Sequence, residues 1–339
     1  MIELTFSEIA TIVGGELLNI DGSEMTSAKP IIDSRKAEPG TFFVALPGER
    51  TDGNKYVTEA ISQGSEWALV NKETTAPAVL VDDVLAALTV LARYCREELA
   101  NTTVIGITGS QGKTTTKDLL SHILMTYGPT VAPEGSFNNE IGVPVTILSC
   151  DEDTRFCIVE MGARHRGDIA ALCEIAQPDI GAVLVVGSAH LGEFGSLENI
   201  AETKAELISS LPDSGVAVLG KYDSYTPHMA DGMNLKTLTF GESSDADVRA
   251  ADVEIREGRA NFDLVTSAGR APVSLQLLGS HQISNALAAA AIASELGMGI
   301  DSIAAALSTA EPTSKWRMEL IEVGEIGIIN DSYNANPES

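Results

Sequence analysis

The stretch Val104-Ile105-Gly106-Ile107-Thr108-Gly109-Ser110-Gln111-Gly112-Lys113-Thr114-Thr115 decides the fold. Its first five residues form an apolar, β-branched run, as a strand buried on both faces of a parallel sheet requires. Residues from Thr114 to Thr126 then take helical spacing. Between strand and helix, glycines let backbone N–H groups converge on an anion, and the helix N-terminus adds positive potential. Lys113 can reach terminal phosphates, and the Thr114 hydroxyl can ligate Mg²⁺. The spacing departs from the standard phosphate loop: Ile107 stands five residues before Gly112, and Gly106 comes one place too early. The motif is a shortened Gly-x-x-Gly-Lys-Thr-Thr variant.

Working outward, further buried strands are predicted at Phe156 to Glu160, Ala182 to Val186 and Val216 to Leu219, with helices between them. That alternation predicts an α/β fold with a parallel sheet covered by helices. Residues 235 to 278 read as a small antiparallel insertion, and Ala286 to Ala293 as a packed helix. The first hundred residues form a separate α/β pattern that closes with a helix from Asp83 to Ala100. The expected domains are therefore 1–100, 101–314 and the beginning of a third at 315–339.

Composition narrows the function classes. Lys and Arg total 22 against 48 Asp and Glu, a formal charge of -26. Such a surface repels nucleic acid and anionic lipid, which need cationic side chains to replace counterions. No apolar run reaches the roughly 18 residues of a membrane span. The N-terminus lacks a basic region followed by an apolar core, so a cytoplasmic protein is expected. The four cysteines form no Cys-x-x-Cys pair and read as reduced thiols.

Three residues outside the loop carry chemistry. Glu160 ends a predicted strand, the position at which an open α/β sheet presents ligands beside its phosphate loop, and a carboxylate there would hold Mg²⁺. His190 follows the next strand, which alone is a weak signal. Lys204 lies on a helix whose same-face neighbours are Ile200, Ala201, Leu207 and Ile208, with no acidic residue at salt-bridge spacing. It either snorkels to the surface or carries a lowered pKa.

With these residues assembled, the chain resembles the Mur ligases of peptidoglycan synthesis, and within them the branch that adds D-alanyl-D-alanine. The resemblance rests on Asp33-Ser34-Arg35, Pro39 to Leu46, Thr108 to Thr115, Phe137-Asn138-Asn139-Glu140-Ile141-Gly142-Val143-Pro144 and Glu160-Met161-Gly162-Ala163. It continues through Ala189-His190, Phe194-Gly195-Ser196, Asn285 to Ala290, Arg317-Met318-Glu319 and Asp331-Ser332-Tyr333-Asn334-Ala335-Asn336-Pro337. The Asn-Asn-Glu-Ile-Gly-Val-Pro and Tyr-Asn-Ala-Asn-Pro segments select the branch.

The resemblance implies an N-terminal UDP-sugar-binding domain, a central ATP-binding domain and a C-terminal Rossmann-like domain. Only the start of the third lies within this sequence, so little or no ligation by this stretch alone is expected. The implied reaction joins D-alanyl-D-alanine to UDP-N-acetylmuramoyl-tripeptide through an acyl phosphate, using ATP and two Mg²⁺ sites, in a monomer. By resemblance Gly109, Ser110, Gln111, Gly112, Lys113, Thr114 and Thr115 cradle phosphate, while Thr114 and Glu160 bind one Mg²⁺. His190 joins the second metal position, which a carbamylated Lys204 would support. Asn138, Asn139 and Asn285 line the nucleotide site, Arg317 touches phosphate and Asp331 the ribose; Ser34 and Arg35 contact the UDP-sugar. Asn54 stands where the family usually has His, and Gln282 where Asn normally follows His281. The rival readings are a tripeptide-forming or folylpolyglutamate-like ligase, and a non-catalytic nucleotide-binding module.

Overall fold

The computed structural model describes residues 1–48, 51–189, 191–324 and 326–334. The chain divides into two compact units, one of Met1–Thr102, Phe137–Cys157 and Glu174–Ala176, the other of Thr103–Ser136, Ile158–Cys173 and Gln177–Ser339.

The first unit is built on a five-stranded sheet in the order Glu16–Leu18, Ala78–Leu80, Trp67–Val70, Thr41–Val44, Lys29–Ile31. All neighbours are parallel except the first pair. Thr41–Val44 and Trp67–Val70 are buried throughout, as continuous apolar runs in a covered parallel sheet should be. Trp67 stacks on Phe42 at 4.1 Å between ring centroids and meets the edge of Phe6 at 5.6 Å. The helix Phe6–Val13 starts at a capping box between Thr5 and Glu8 and stops at Gly14, whose φ is 63°. Each end thereby satisfies backbone groups that a helix leaves open.

The second unit holds a nine-stranded sheet. Its parallel centre runs Thr103–Thr108, Ile180–Val183, Val216–Gly220, Lys236–Gly241. Phe156–Glu160 and then Thr130–Val131 lie on the other side of Thr103–Thr108. The expected antiparallel insertion proves to be part of this same sheet. Lys236–Gly241 pairs parallel with Val216–Gly220, and Val248–Arg256 joins it in parallel at Phe240 and Gly241. Only the last two pairings, through Arg259–Thr266 and Gly269–Leu278, are antiparallel. From Arg270 along this strand burial alternates residue by residue, so one face is covered and the other faces solvent.

The helix Gln282–Glu295 is the core of this unit, with every residue from Ala286 to Ala293 at 0% exposure. It packs against the helix Lys113–Met125 and several central strands. A run of alanines lets two helices and a sheet approach closely, leaving no slack for larger side chains. Among the described residues no helix is long and apolar enough to cross a membrane. Replacing Ala289 by Leu should cost about 1–3 kcal/mol through overpacking, read as a lower midpoint in urea unfolding without a change of slope.

Candidate active site

The phosphate loop is fixed by its neighbours before any ligand is considered. The Ser110 amide donates to the Val185 carbonyl at 2.9 Å, and its hydroxyl bridges the Gly187 carbonyl (3.1 Å) and amide (2.8 Å). Gly112, the residue that caps the helix Lys113–Met125, has a φ of 81°. A Cβ there would come within 2.2 Å of the Asn285 side-chain oxygen. Backbone conformation and lack of space both demand glycine at this point. Asn285 is held in turn, donating to the Gln282 side-chain oxygen at 2.8 Å and accepting from the Thr116 hydroxyl at 3.4 Å. Gln111 and Thr115 are half-buried beside the loop.

Lys113 folds back so that its ammonium donates to the Gly109 carbonyl at 2.9 Å. Burial lowers its pKa; the nearby Glu160 carboxylate opposes that shift and Arg317 adds to it. Thr114 donates to Glu160 at 2.8 Å, with both residues buried. The loop hydroxyl and the strand-end carboxylate predicted as metal ligands are therefore in direct contact.

Lys204 comes from the helix Leu197–Ser209, which Ser196 caps by accepting from the Asn199 amide. Leu207 of this helix reaches the central strand because Gly106 has no side chain; a Cβ there would lie 2.9 Å from Leu207. Lys204 is 8% exposed, so most of its side chain is withdrawn from water. Among the described residues it has no hydrogen-bond or ion-pair partner, and its apolar neighbours Ile200, Ala201, Leu207 and Ile208 are buried with it. Burial first and then the charge of Lys113 lower its pKa from 10.5 to about 7.

Arg317 lies with its guanidinium 4.0 Å from the centroid of the Tyr333 ring, a cation–π contact. Asp331 accepts from the Met318 amide at 3.1 Å. Its charge opposes the burial that lowers the pKa of His281, and His281 contacts Gln282 at 3.0 Å. Asp331, His281, Gln282 and Asn285 thus form a chain of neighbours ending at Gly112.

The first unit holds the other predicted residues. Ser34 is buried, and Arg35 is exposed and paired with Asp33 at 2.6 Å. That hydrogen-bonded pair lowers the Asp33 pKa to about 2. Asn139 accepts from the Gly142 amide at 3.0 Å, opening the short helix Gly142–Ile147, with Asn138 beside it in the chain. Asn54 donates to Asp52 and to Asn71, each at 2.7 Å. His190 lies outside the described residues.

Sequence reasoning overlooked Thr116, Lys117 and Asp118. The signal was present in the run Lys113-Thr114-Thr115-Thr116-Lys117, since residues four apart share a helix face.

Hard oxygen ligands suit Mg²⁺, and the Thr114–Glu160 pair supplies them next to a glycine cradle that a Cβ would fill. Among the described residues no group of three or more His, Cys, Asp and Glu could hold a metal. Mg²⁺ with one carboxylate characteristically completes its shell with phosphate and water. The residues present fit a metal–nucleotide complex.

Two family models match this arrangement: the Mur ligase middle domain over residues 107–293, and the Mur ligase family catalytic domain over residues 31–119. The chain belongs to the Mur ligase family. All of it aligns at 42% identity with 72% of the UDP-N-acetylmuramoyl-tripeptide–D-alanyl-D-alanine ligase of Mycobacterium tuberculosis. The structure of MurF from Acinetobacter baumannii superposes with a TM-score of 0.86 at 34% identity, over 99% of this chain and 74% of that one. MurF ligase from Thermotoga maritima, solved in complex with ADP, gives 0.75 at 32% identity, over 92% of this chain and 72% of that one.

Two outcomes follow from the geometry. Gly112→Ala should destabilise the chain by about 1–2 kcal/mol through its left-handed backbone alone, and should weaken nucleotide binding at least tenfold, on the order of 1.4 kcal/mol, in a calorimetric titration. The Lys204 amine gives a pH signature. An unfolded chain keeps this proton to about pH 10, whereas the folded chain releases it near about 7. Between those values the unfolded state binds more protons, so stability rises with pH across the window. Lys204→Met should remove that slope and unfold at higher urea than the wild type at pH 7.

Proposed function

We propose that this Mur ligase joins D-alanyl-D-alanine to UDP-N-acetylmuramoyl-tripeptide at the expense of ATP, completing the pentapeptide precursor of peptidoglycan. The observation that carries the reading is the buried Thr114–Glu160 contact beside Lys113, with Lys204 facing the same loop. A module that merely bound nucleotide would gain nothing from burying there, at a cost in stability, a lysine with no partner among the described residues.

The tripeptide carboxylate is a poor electrophile and needs activation. Attack of one of its oxygens on the γ-phosphorus of ATP breaks the bond to ADP and gives an acyl phosphate. The D-alanyl-D-alanine amine then attacks the carbonyl, forming the amide, losing a proton and releasing phosphate. Charge neutralisation and positioning are the main tasks in such a transfer. Lys113, with the loop amides from Gly109 to Thr115, would cradle the transferring phosphoryl group, and Arg317 would help balance its charge. Asn285 and Asp331, with Asn138 and Asn139, would hold the nucleoside, and Ser34 and Arg35 the UDP end. Thr114 and Glu160 would hold Mg²⁺, which when bound neutralises phosphate charge. His190 and Lys204 would serve a second metal position. The Lys204 amine, neutral in half the molecules near about pH 7, is suited to add CO₂ and lose a proton as a carbamate.

Domains over 1–100 and 101–314, with a third beginning at 315, are the proposed organisation of binding and closure. The proposed location is the cytoplasm, as a monomer. Four buried free cysteines suit a reducing compartment.

A chain with a formal charge of -26 must reverse sign locally to bind polyanions. Nucleotide affinity should therefore fall at least tenfold on chelation of Mg²⁺, on the order of 1.4 kcal/mol. In the full-length protein, ATP-dependent phosphate release should require both UDP-tripeptide and dipeptide. Lys204→Ala should lose most turnover and regain part of it with added short carboxylic acids; release indifferent to the dipeptide would refute the assignment.

A further inference from the structure

One helical turn beyond the phosphate loop lies a cluster, buried at Lys117, with no part in the chemistry above. Lys117 is 3% exposed, and its ammonium donates to the Pro133 carbonyl at 2.7 Å. It also pairs with one Asp118 oxygen at 2.7 Å. The other Asp118 oxygen accepts the Ser314 hydroxyl at 2.6 Å, across 196 residues of chain. Both Lys117 contacts hold its ammonium away from any phosphate role, and its charge neutralises a carboxylate that would otherwise repel an anion nearby.

Ser314 begins a short, strained segment. Trp316 and Met318 have φ of 65° and 52°, left-handed values that non-glycine residues rarely hold. Arg317 sits between them. Downstream the segment is stitched to the paired strands Glu319–Val323 and Ile326–Asn330 and the residues after them: the Trp316 amide donates to Glu319 at 3.0 Å, its carbonyl accepts from the Tyr333 amide at 3.1 Å, and the Met318 amide donates to Asp331 at 3.1 Å. Upstream, Ser314 ties it to the phosphate helix. Three residues span at most about 10 Å, so with both ends held Arg317 has little room to wander.

We propose that Asp118 and Ser314 are positioning residues, a pin between the phosphate helix and the Ser314–Met318 segment that holds Arg317 in place for the nucleotide's phosphates. The pin deepens the ligase reading and rests on it for the role of Arg317. It explains why a carboxylate is kept beside an anion site, and why Lys117 is spent on neutralising it.

The test is a double-mutant cycle on Mg²⁺–ATP binding, followed by calorimetry. Ser314→Ala should weaken binding about three- to tenfold, a fraction of the worth of a hydrogen bond to a charged group because the effect on nucleotide is indirect, and Ser314→Thr should restore it. In an Arg317→Ala background, the same change should alter affinity less than about twofold, because coupled residues are not additive. Equal losses in both backgrounds, or wild-type affinity in Ser314→Ala, would overturn the pin. A second measurement needs no ligand. Acrylamide reaches Trp316, which is 51% exposed, and spares Trp67 at 0%, so quenching in Ser314→Ala should rise if the segment is released. Unchanged quenching would also overturn the pin. If the wild type failed to bind Mg²⁺–ATP, the ligase reading would fall, while quenching would still decide whether Ser314 holds the segment.

Discussion

A backbone turn that only glycine can make, packed against one amide side chain, sets the position of everything else in the site. Gly112 is left-handed with Asn285 where its Cβ would be. Because of that contact, the N-terminus of the helix Lys113–Met125 sits against the almost wholly buried helix Gln282–Glu295. The helix cannot roll without driving Asn285 into packed alanines. Lys113 and Thr114 are its first two residues, so their side chains inherit that rigidity. Preorganisation of this kind lets a site stabilise developing charge without reorganising as the reaction proceeds.

Charge is arranged against the grain of the molecule. The chain is strongly acidic, yet around Lys113 the described site gathers the charges of Lys204 and Arg317 along with the Glu160 carboxylate. Screening confines distant surface charge to about 8–10 Å, so a low-dielectric pocket can carry the opposite sign. The charge of Lys113 helps to push the proton off the buried Lys204. This repulsion is a cost in the free protein, and a polyanion in the pocket would relieve it. Ligand charge and the lysine charges then stabilise one another, which couples nucleotide affinity to the site's own protonation.

How much of this the sequence disclosed follows from how local each feature is. The strand, loop and helix of the phosphate site are contiguous, and the predicted strand Phe156–Glu160 has the observed bounds. Lys204 was legible because helical spacing alone exposes a lysine among apolar neighbours. Sheet membership from Lys236 to Leu278 was not, because pairing with Val216–Gly220 is decided by the surface each strand meets rather than by its own pattern. The contact between Asp118 and Ser314 was beyond reach for the same reason: nothing near either residue marks the other. Asn285 stood out only through resemblance, and its seat against Gly112 depends on how two distant helices pack.

The cost of burying Lys204 bears on why the helix carrying it is so firmly attached. An amine with apolar neighbours and no partner among the described residues tends to pull its helix outward toward water. Leu207 opposes this by packing into the space that Gly106 leaves on the central strand. Glu206, on the same helix, accepts from the Gly167 and Ala170 amides at 2.7 and 3.0 Å and so ties it to the start of Asp168–Ala176. Ser196 fixes its first turn. These contacts flank Lys204 along the helix, so none competes for its amine. Among the described residues, the lysine is held in an unfavourable place by its surroundings rather than by bonds of its own. An amine held in that way stays uncommitted, and an uncommitted neutral amine is the one condition under which it can take up a new group.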